Sequence, residues 1–253
     1  ALIGHNVELV GVRDAYNGLV QLTDYTVEDL GEATLPAAFD LQTILDWNAE
    51  TLLPYQSSLV SAANLKITEW TDENYGNIEM TLLDETTGNT LNFKWDSRID
   101  LANRTFLEAT KVGDYVTFTG AALGWSSNKP LLTLTDGNQI SAGTAPTLTD
   151  ANYVLLDAKE IDITTTFIEA GTITFPTTGS NGSTIAWTFT DSEDVDNALV
   201  DLTTGDVTFP TEYGVFEVGV TATVTKGTES TTRTFVIEIN NPEPLPDLFI
   251  SEY

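Results

Sequence analysis

Runs of alternating apolar and polar residues dominate this chain, as in "VTATVTKG" (residues 220–227) and "TRTFVIEI" (residues 232–239), with Gly, Asn, Asp and Thr between them. A period of two puts every second side chain on one face of a strand, so such runs build sheets with one apolar face. Helical periodicity is scarce. The segment LQTILDWNAETLL (residues 41–53) is expected to be a short helix, with Asp40 as N-cap and Pro54 after its end. The fold is expected to be mainly β.

The length of 253 residues suits two domains, and 41% apolar residues with five tryptophans suffice for cores. With 38 Asp and Glu against 10 Lys and Arg, the formal charge is -28. Such a surface repels phosphate backbones and lipid headgroups and attracts cations, so nucleic acid is disfavoured as a partner and membrane insertion is not expected. No apolar run approaches the roughly 20 residues that span a bilayer. The absence of cysteine excludes disulfides, zinc–thiolate sites and thiol nucleophiles.

The chain resembles itself at an offset of 109 residues. Gly4, Val7, Leu9 and Gly11 in "IGHNVELVG" match Gly113, Val116, Phe118 and Gly120 in "VGDYVTFTG". Each is followed by a second strand, "GLVQLTD" at residues 18–24 and "PLLTLTD" at 130–136. Two matched hairpins one domain length apart imply tandem modules. Between them, "ANLKITEW", "GNIEMTLLDE" and "NTLNFKWD" read as three further strands, with turns at residues 72–76 and 86–89.

These five strands, over residues 55–143, resemble the small OB-type barrel found beside the catalytic domains of bacterial secreted nucleases and phosphoesterases. Further on, Phe175-Pro176 precedes a Gly179/Gly182 turn, "GSTIAW" carries Trp187, and "GDVTFP" spans 205–210. With these pieces residues 150–240 look like a bacterial Ig-like domain, which implies that Trp187 lies on a core strand. The family's usual "WSSSNP" is replaced by the acidic "WTFTDSEDVDN". The resemblance implies a sandwich of about seven strands. "PEPLP" (242–246) reads as a linker, and "LFISEY" (248–253) resembles the first strand of a lamin-tail-like domain. The expected organisation is a truncated OB-like closing hairpin (1–31), an OB-like barrel (36–143), an Ig-like sandwich (150–240), and a linker with a truncated lamin-tail-like start (241–253).

Catalysis needs groups that titrate or hold activated water, and His5 is the one histidine, far from any evident nucleophile. It reads as a surface residue. Among metals, calcium suits a carboxylate-rich loop: Asp191, Glu193, Asp194 and Asp196 form the densest cluster, with Asp201 beyond. The EF-hand spacing fails because Ala198 stands where an oxygen ligand is needed, so the cluster reads first as a solvated loop. On an OB barrel, ligands lie on the sheet face, where Trp70, Tyr75, Trp95 and Trp125 would stack, with Lys94, Arg98 and Lys129 as cations. Packing in the barrel core is the competing reading of those aromatics.

The functional expectation is a non-catalytic structural, adhesive or self-assembling segment of a secreted or surface-attached bacterial protein. Its partners would be other modules of the same parent, other copies of itself, or a surface glycan or protein. The alternative is an accessory segment of an extracellular nuclease or phosphoesterase.

Overall fold

The computed structural model describes residues 5–16, 19–73, 76–97 and 104–243. They fall into two compact units, residues 1–147 and 148–253. No helix among the described residues is long and apolar enough to cross a membrane.

The first unit begins with a long antiparallel hairpin of β1 (His5–Tyr16) and β2 (Leu19–Glu32), which forms a two-stranded sheet of its own. A two-residue strand β3 (Phe39–Asp40) follows and pairs parallel with β4 (Leu59–Glu73). The expected helix over residues 41–53 is broken into pieces, because the segment contains two N-caps. Asp40 accepts a hydrogen bond from the Gln42 N–H and starts a 3₁₀ turn, Leu41–Thr43, which ends at Ile44. Asn48 then caps the four-residue α1 (Ala49–Leu52), forming a reciprocal capping box with Thr51. The buried Trp47 donates from Nε1 to the Leu41 carbonyl at 2.9 Å and fixes the bend between the two. Pro54 opens a second 3₁₀ turn.

The barrel comprises β4, β5 (Asn77–Asp84), β6 (Asn89–Trp95), β7 (Tyr115–Ser126) and β8 (Lys129–Thr133), with α2 (Arg104–Ala109) between β6 and β7. A short strand β9 (Ile140–Ala142) pairs with the first half of β7. Strands run in the order β4-β5-β6-β8-β7, β6 and β8 are parallel, and β7 pairs back with β4 to close a five-stranded OB-like barrel. Alternation decides what lies inside. Ile78, Met80 and Leu82 of β5 and Leu91, Phe93 and Trp95 of β6 are all buried, and their neighbours face outward. Phe118, Leu123 and Leu132 meet them across the interior. Each such side chain contributes roughly 1.5–3 kcal/mol relative to exposure. The β5–β6 turn falls where the sequence places it, with Asp84 accepting from the Thr86 N–H and Gly88 at positive φ.

The second unit opens with a helix that the strand pattern hid, α3 (Asp150–Glu160). Thr149 and Asn152 form its capping box, and Val154, Asp157 and Ala158 make its buried face. After it come β10 (Thr166–Phe167), β11 (Gly171–Thr172), β12 (Thr184–Phe189), β13 (Asp206–Val207), β14 (Gly214–Lys226) and β15 (Glu229–Asn241). One sheet has the order β10-β15-β14-β12, and β11 and β13 form a second, two-stranded one. The described residues thus hold six strands where about seven were expected, and α3 packs on β14 and β15. Val218, Val220, Ala222 and Val224 of β14 and Ile237 and Ile239 of β15 are the centre of its core. Trp187 is half-buried rather than central. It stands at the edge of that core between the rings of Phe175 and Phe235, and its Nε1 donates to the Pro176 carbonyl at 2.9 Å. The expected lamin-tail-like strand lies outside the described residues.

Candidate functional site

The outward residues of β4, β5 and β6 are the polar members of the alternation that buries the core. They line a groove of about 460 Å³ with the β7–β8 turn at its rim. Glu69 and Thr71 come from β4, Glu79 and Thr81 from β5, and Asn92 and Lys94 from β6. Ser127 and Asn128 both have positive φ, which makes a tight hairpin turn and brings Ser127 and Lys129 over the groove. Lys94 forms an ion pair with Glu79, and the Thr81 hydroxyl donates to Glu69 at 2.8 Å. Past Asn92, Lys129 and Pro130 the surface continues into a shallower recess of about 350 Å³ beside Trp47. The groove offers hydroxyls, an amide and paired charges, so it suits a polar ligand held by hydrogen bonds.

Of the residues expected to bind a ligand, Lys129 and Lys94 line this groove. Trp95 and Trp125 do not: they are 1% and 8% exposed and belong to the barrel core, so neither presents a ring face for stacking. Trp70 packs partly buried against the same core, with its Nε1 enclosed and without a hydrogen-bond partner among the described residues. Tyr75 and Arg98 lie outside the described residues. Glu69, Glu79, Thr81 and Asn92 were missed as site residues, although their outward positions were readable from the alternation in "ITEWTDE", "NIEMTLLD" and "NTLNFKW".

A polar clamp lies elsewhere on the barrel. Glu85 accepts from Lys66 Nζ at 2.6 Å and from the Tyr115 hydroxyl at 2.7 Å, tying β4 and β7 to the β5–β6 turn. The Lys66 hydrogen bond holds the Glu85 carboxyl below the usual range, and the same pair raises Lys66. Its bond to Glu85 raises Tyr115. His5 Nδ1 meets Asp29 at 2.9 Å across the β1–β2 hairpin.

In the second unit the acidic loop is organised by its own backbone. Asp191 accepts from the Glu193 N–H and Asp194 from the Asp196 N–H, both at 3.0 Å. Asp194 thereby caps a 3₁₀ turn, Val195–Leu199. Asp201 accepts from the Thr203 and Thr204 N–H groups, which hold it below the usual carboxylate range. Among the described residues, no three or more His, Asp or Glu side chains gather in a way that would hold a metal ion. The four carboxylates expected to bind calcium therefore lie along one loop without converging.

The most constrained carboxylate of this unit is Asp157 on α3, which is 1% exposed. Burial would raise it, but hydrogen bonds from Ser183 and Asn181 outweigh that and hold it below the usual range. Arg233 complements it at the same C-terminal end of the helix by donating to the carbonyls of Ala158, Lys159 and Ile161. These bonds fasten α3 to the sheet and satisfy helix-end carbonyls.

No curated protein matches the chain. A family model does: that of the atrophied bacterial Ig domain, over residues 148–241. Its limits coincide with the second unit from the cap of α3 to the end of β15, and the sparse second sheet, β11 with β13, fits a reduced sandwich. Residues 148–241 are thus similar to that family and form an Ig-like domain in the C-terminal region.

Proposed function

We propose that this chain is a non-catalytic β-module segment of a secreted or surface-attached bacterial protein, which spaces, adheres or self-assembles. The observation that supports it is the Ig-like match over residues 148–241, on a module whose buried carboxylate and loop carboxylates serve its own helix and turns. Such groups hold a scaffold rigid and are not free to shuttle protons.

The groove above β4 to β6 is the surface on which an adhesion target would lie. Glu69 and Glu79 disfavour phosphate there, and the whole chain at -28 opposes a nucleic acid. Thr71, Thr81, Asn92 and Ser127 offer the donors and acceptors that sugar hydroxyls need, which favours a surface glycan over the nuclease-accessory role. An antibody against residues 36–241 should label intact cells of the source organism. Labelling that appears only after lysis would overturn the surface assignment.

A further inference from the structure

Two Asn-Gly pairs occur in the sequence, Asn17-Gly18 and Asn181-Gly182. The first lies outside the described residues. Such a pair is chemically weak, because glycine has no side chain to crowd its own nitrogen. That nitrogen, once deprotonated, attacks the Asn Cγ: a new C–N bond closes a succinimide ring, the bond from Cγ to Nδ2 breaks, and the amide nitrogen leaves as ammonia with the proton taken from the backbone. Water then opens the ring at one carbonyl or the other. The products are aspartate and isoaspartate, the second with the main chain running through the side-chain carboxyl.

In the Ig-like unit both reacting groups are already engaged. Asn181 Nδ2 donates to Asp157 Oδ1 at 2.8 Å and to Ser180 Oγ at 3.3 Å, and the Gly182 N–H donates to the Gly179 carbonyl at 3.1 Å. On either side of the pair, the Asn181 and Ser183 N–H groups reach the two oxygens of Asp157, and Lys226 Nζ donates to the Asn181 carbonyl. Burial is not what shields the pair, since Gly182 is exposed, with φ +83°. Asp157, in contrast, is 1% exposed and fixed in α3, so the acceptor that holds the Asn181 carboxamide does not move with the turn.

We propose that Asn181 is a latent deamidation site that Asp157 keeps shut, and that its conversion unfastens α3 from the turn before β12. For the ring to close, the carboxamide must swing away from Asp157 until Cγ faces the Gly182 nitrogen, and the Gly182 bond to Gly179 must open. Loss of one hydrogen bond to a charged group corresponds to about tenfold or more in the population free to react. The change runs one way. Aspartate at 181 sets a carboxylate against Asp157 Oδ1, where an N–H₂ group now donates, and like charges so placed repel. Isoaspartate also lengthens the main chain inside a turn that is pinned at both Asn181 and Ser183. Either product exchanges an attraction to α3 for a repulsion.

The test incubates residues 1–253 at mildly alkaline pH, folded and in guanidinium, and follows Asn181 by peptide mass and isoaspartate content, with Asn17 in the unfolded samples showing that the conditions suffice. Conversion at Asn181 should be at least about tenfold slower in the folded wild type than in guanidinium. Asp157→Ala, or Asp157→Asn if the alanine variant does not fold, should regain about tenfold. Gly205→Ala weakens the same module away from the pair, so it measures what general unfolding alone contributes and should gain less. Asn181→Asp should lower the melting temperature of the module by at least about 4 °C at neutral pH. The proposal is overturned if the folded wild type converts as fast as the unfolded chain, if the Asp157 variant converts no faster than wild type or than Gly205→Ala, or if Asn181→Asp melts with the wild type.

Discussion

Asp157 Oδ1 accepts hydrogen bonds from both the backbone N–H and the side-chain amide of Asn181, each at 2.8 Å, so one helix residue holds the turn that leads into β12. The Ser183 N–H reaches the other oxygen at 3.1 Å. Replacing Asp157 by Asn removes acceptors from a buried site and turns an N–H₂ group toward donors. The expected loss is about 1–3 kcal/mol from the Ig-like module. Because the folded-state pKa is depressed, this stability is present above the unfolded value and is lost as pH falls through the folded one. Thermal melts of wild type and Asp157→Asn should therefore differ most near neutral pH and converge below the usual carboxylate range. A constant difference down to strong acid would show that the charge is not what stabilises the turn.

Gly205 has φ +78°, and a Cβ there would lie 1.9 Å from the Ile173 carbonyl oxygen. Its own carbonyl accepts from the Ile173 N–H at 2.8 Å, so the clash falls on the contact that joins the β11 and β13 strands. Gly205→Ala should cost at least about 2 kcal/mol, beyond the left-handed strain alone. Chemical denaturation measures this, and an unchanged midpoint would mean that the second sheet adds nothing to the module's stability.

Trp187 touches Phe175 and Phe235 but keeps part of its ring in water. Trp187→Ala should cost about 3 kcal/mol, at the low end for a buried tryptophan, because less surface is lost and water can enter the space left. Trp187→Phe keeps the tilted ring contacts and loses the bond to Pro176, so its cost should be about 1 kcal/mol. The two values, measured by denaturation, separate packing from hydrogen bonding. Equal losses would contradict the division.

Arg233 supplies one Nη1 to three carbonyls at the end of α3. Arg233→Met keeps most of the stem and should slow nothing in the barrel, while the amide protection of α3 falls about tenfold in hydrogen exchange, as for a lost charged hydrogen bond. Protection unchanged in α3 would mean that its packing alone anchors it.

What could be read from the sequence followed the period of two. β5, β6, β14 and β15 announce themselves by alternation, and the turns at residues 86–89 and Gly179/Gly182 fall where they were read, with Gly88 and Gly182 at positive φ. Helices were harder, because caps compete over short distances. Asp40 and Asn48 each start a turn and so divide residues 41–53, whereas the Thr149 and Asn152 box that starts α3 was hidden in a segment read as sandwich. The site was half legible. Tryptophan looks like a stacking platform until the inward phase of its strand is known: Trp95 follows Leu91 and Phe93 into the core. The groove is lined instead by the residues between them, Asn92 and Lys94, which depend on the barrel closing to become neighbours of Lys129.

The central claim is that these modules scaffold and do no chemistry, and turnover tests it most directly. Purified residues 1–253 should hydrolyse neither DNA, RNA nor a phosphate monoester with Mg²⁺, Mn²⁺ or Ca²⁺. Metal-dependent hydrolysis that survives His5→Ala but is lost when Asp191, Glu193, Asp194 and Asp196 are replaced by Asn or Gln would contradict it, and would turn the acidic loop into a metal centre.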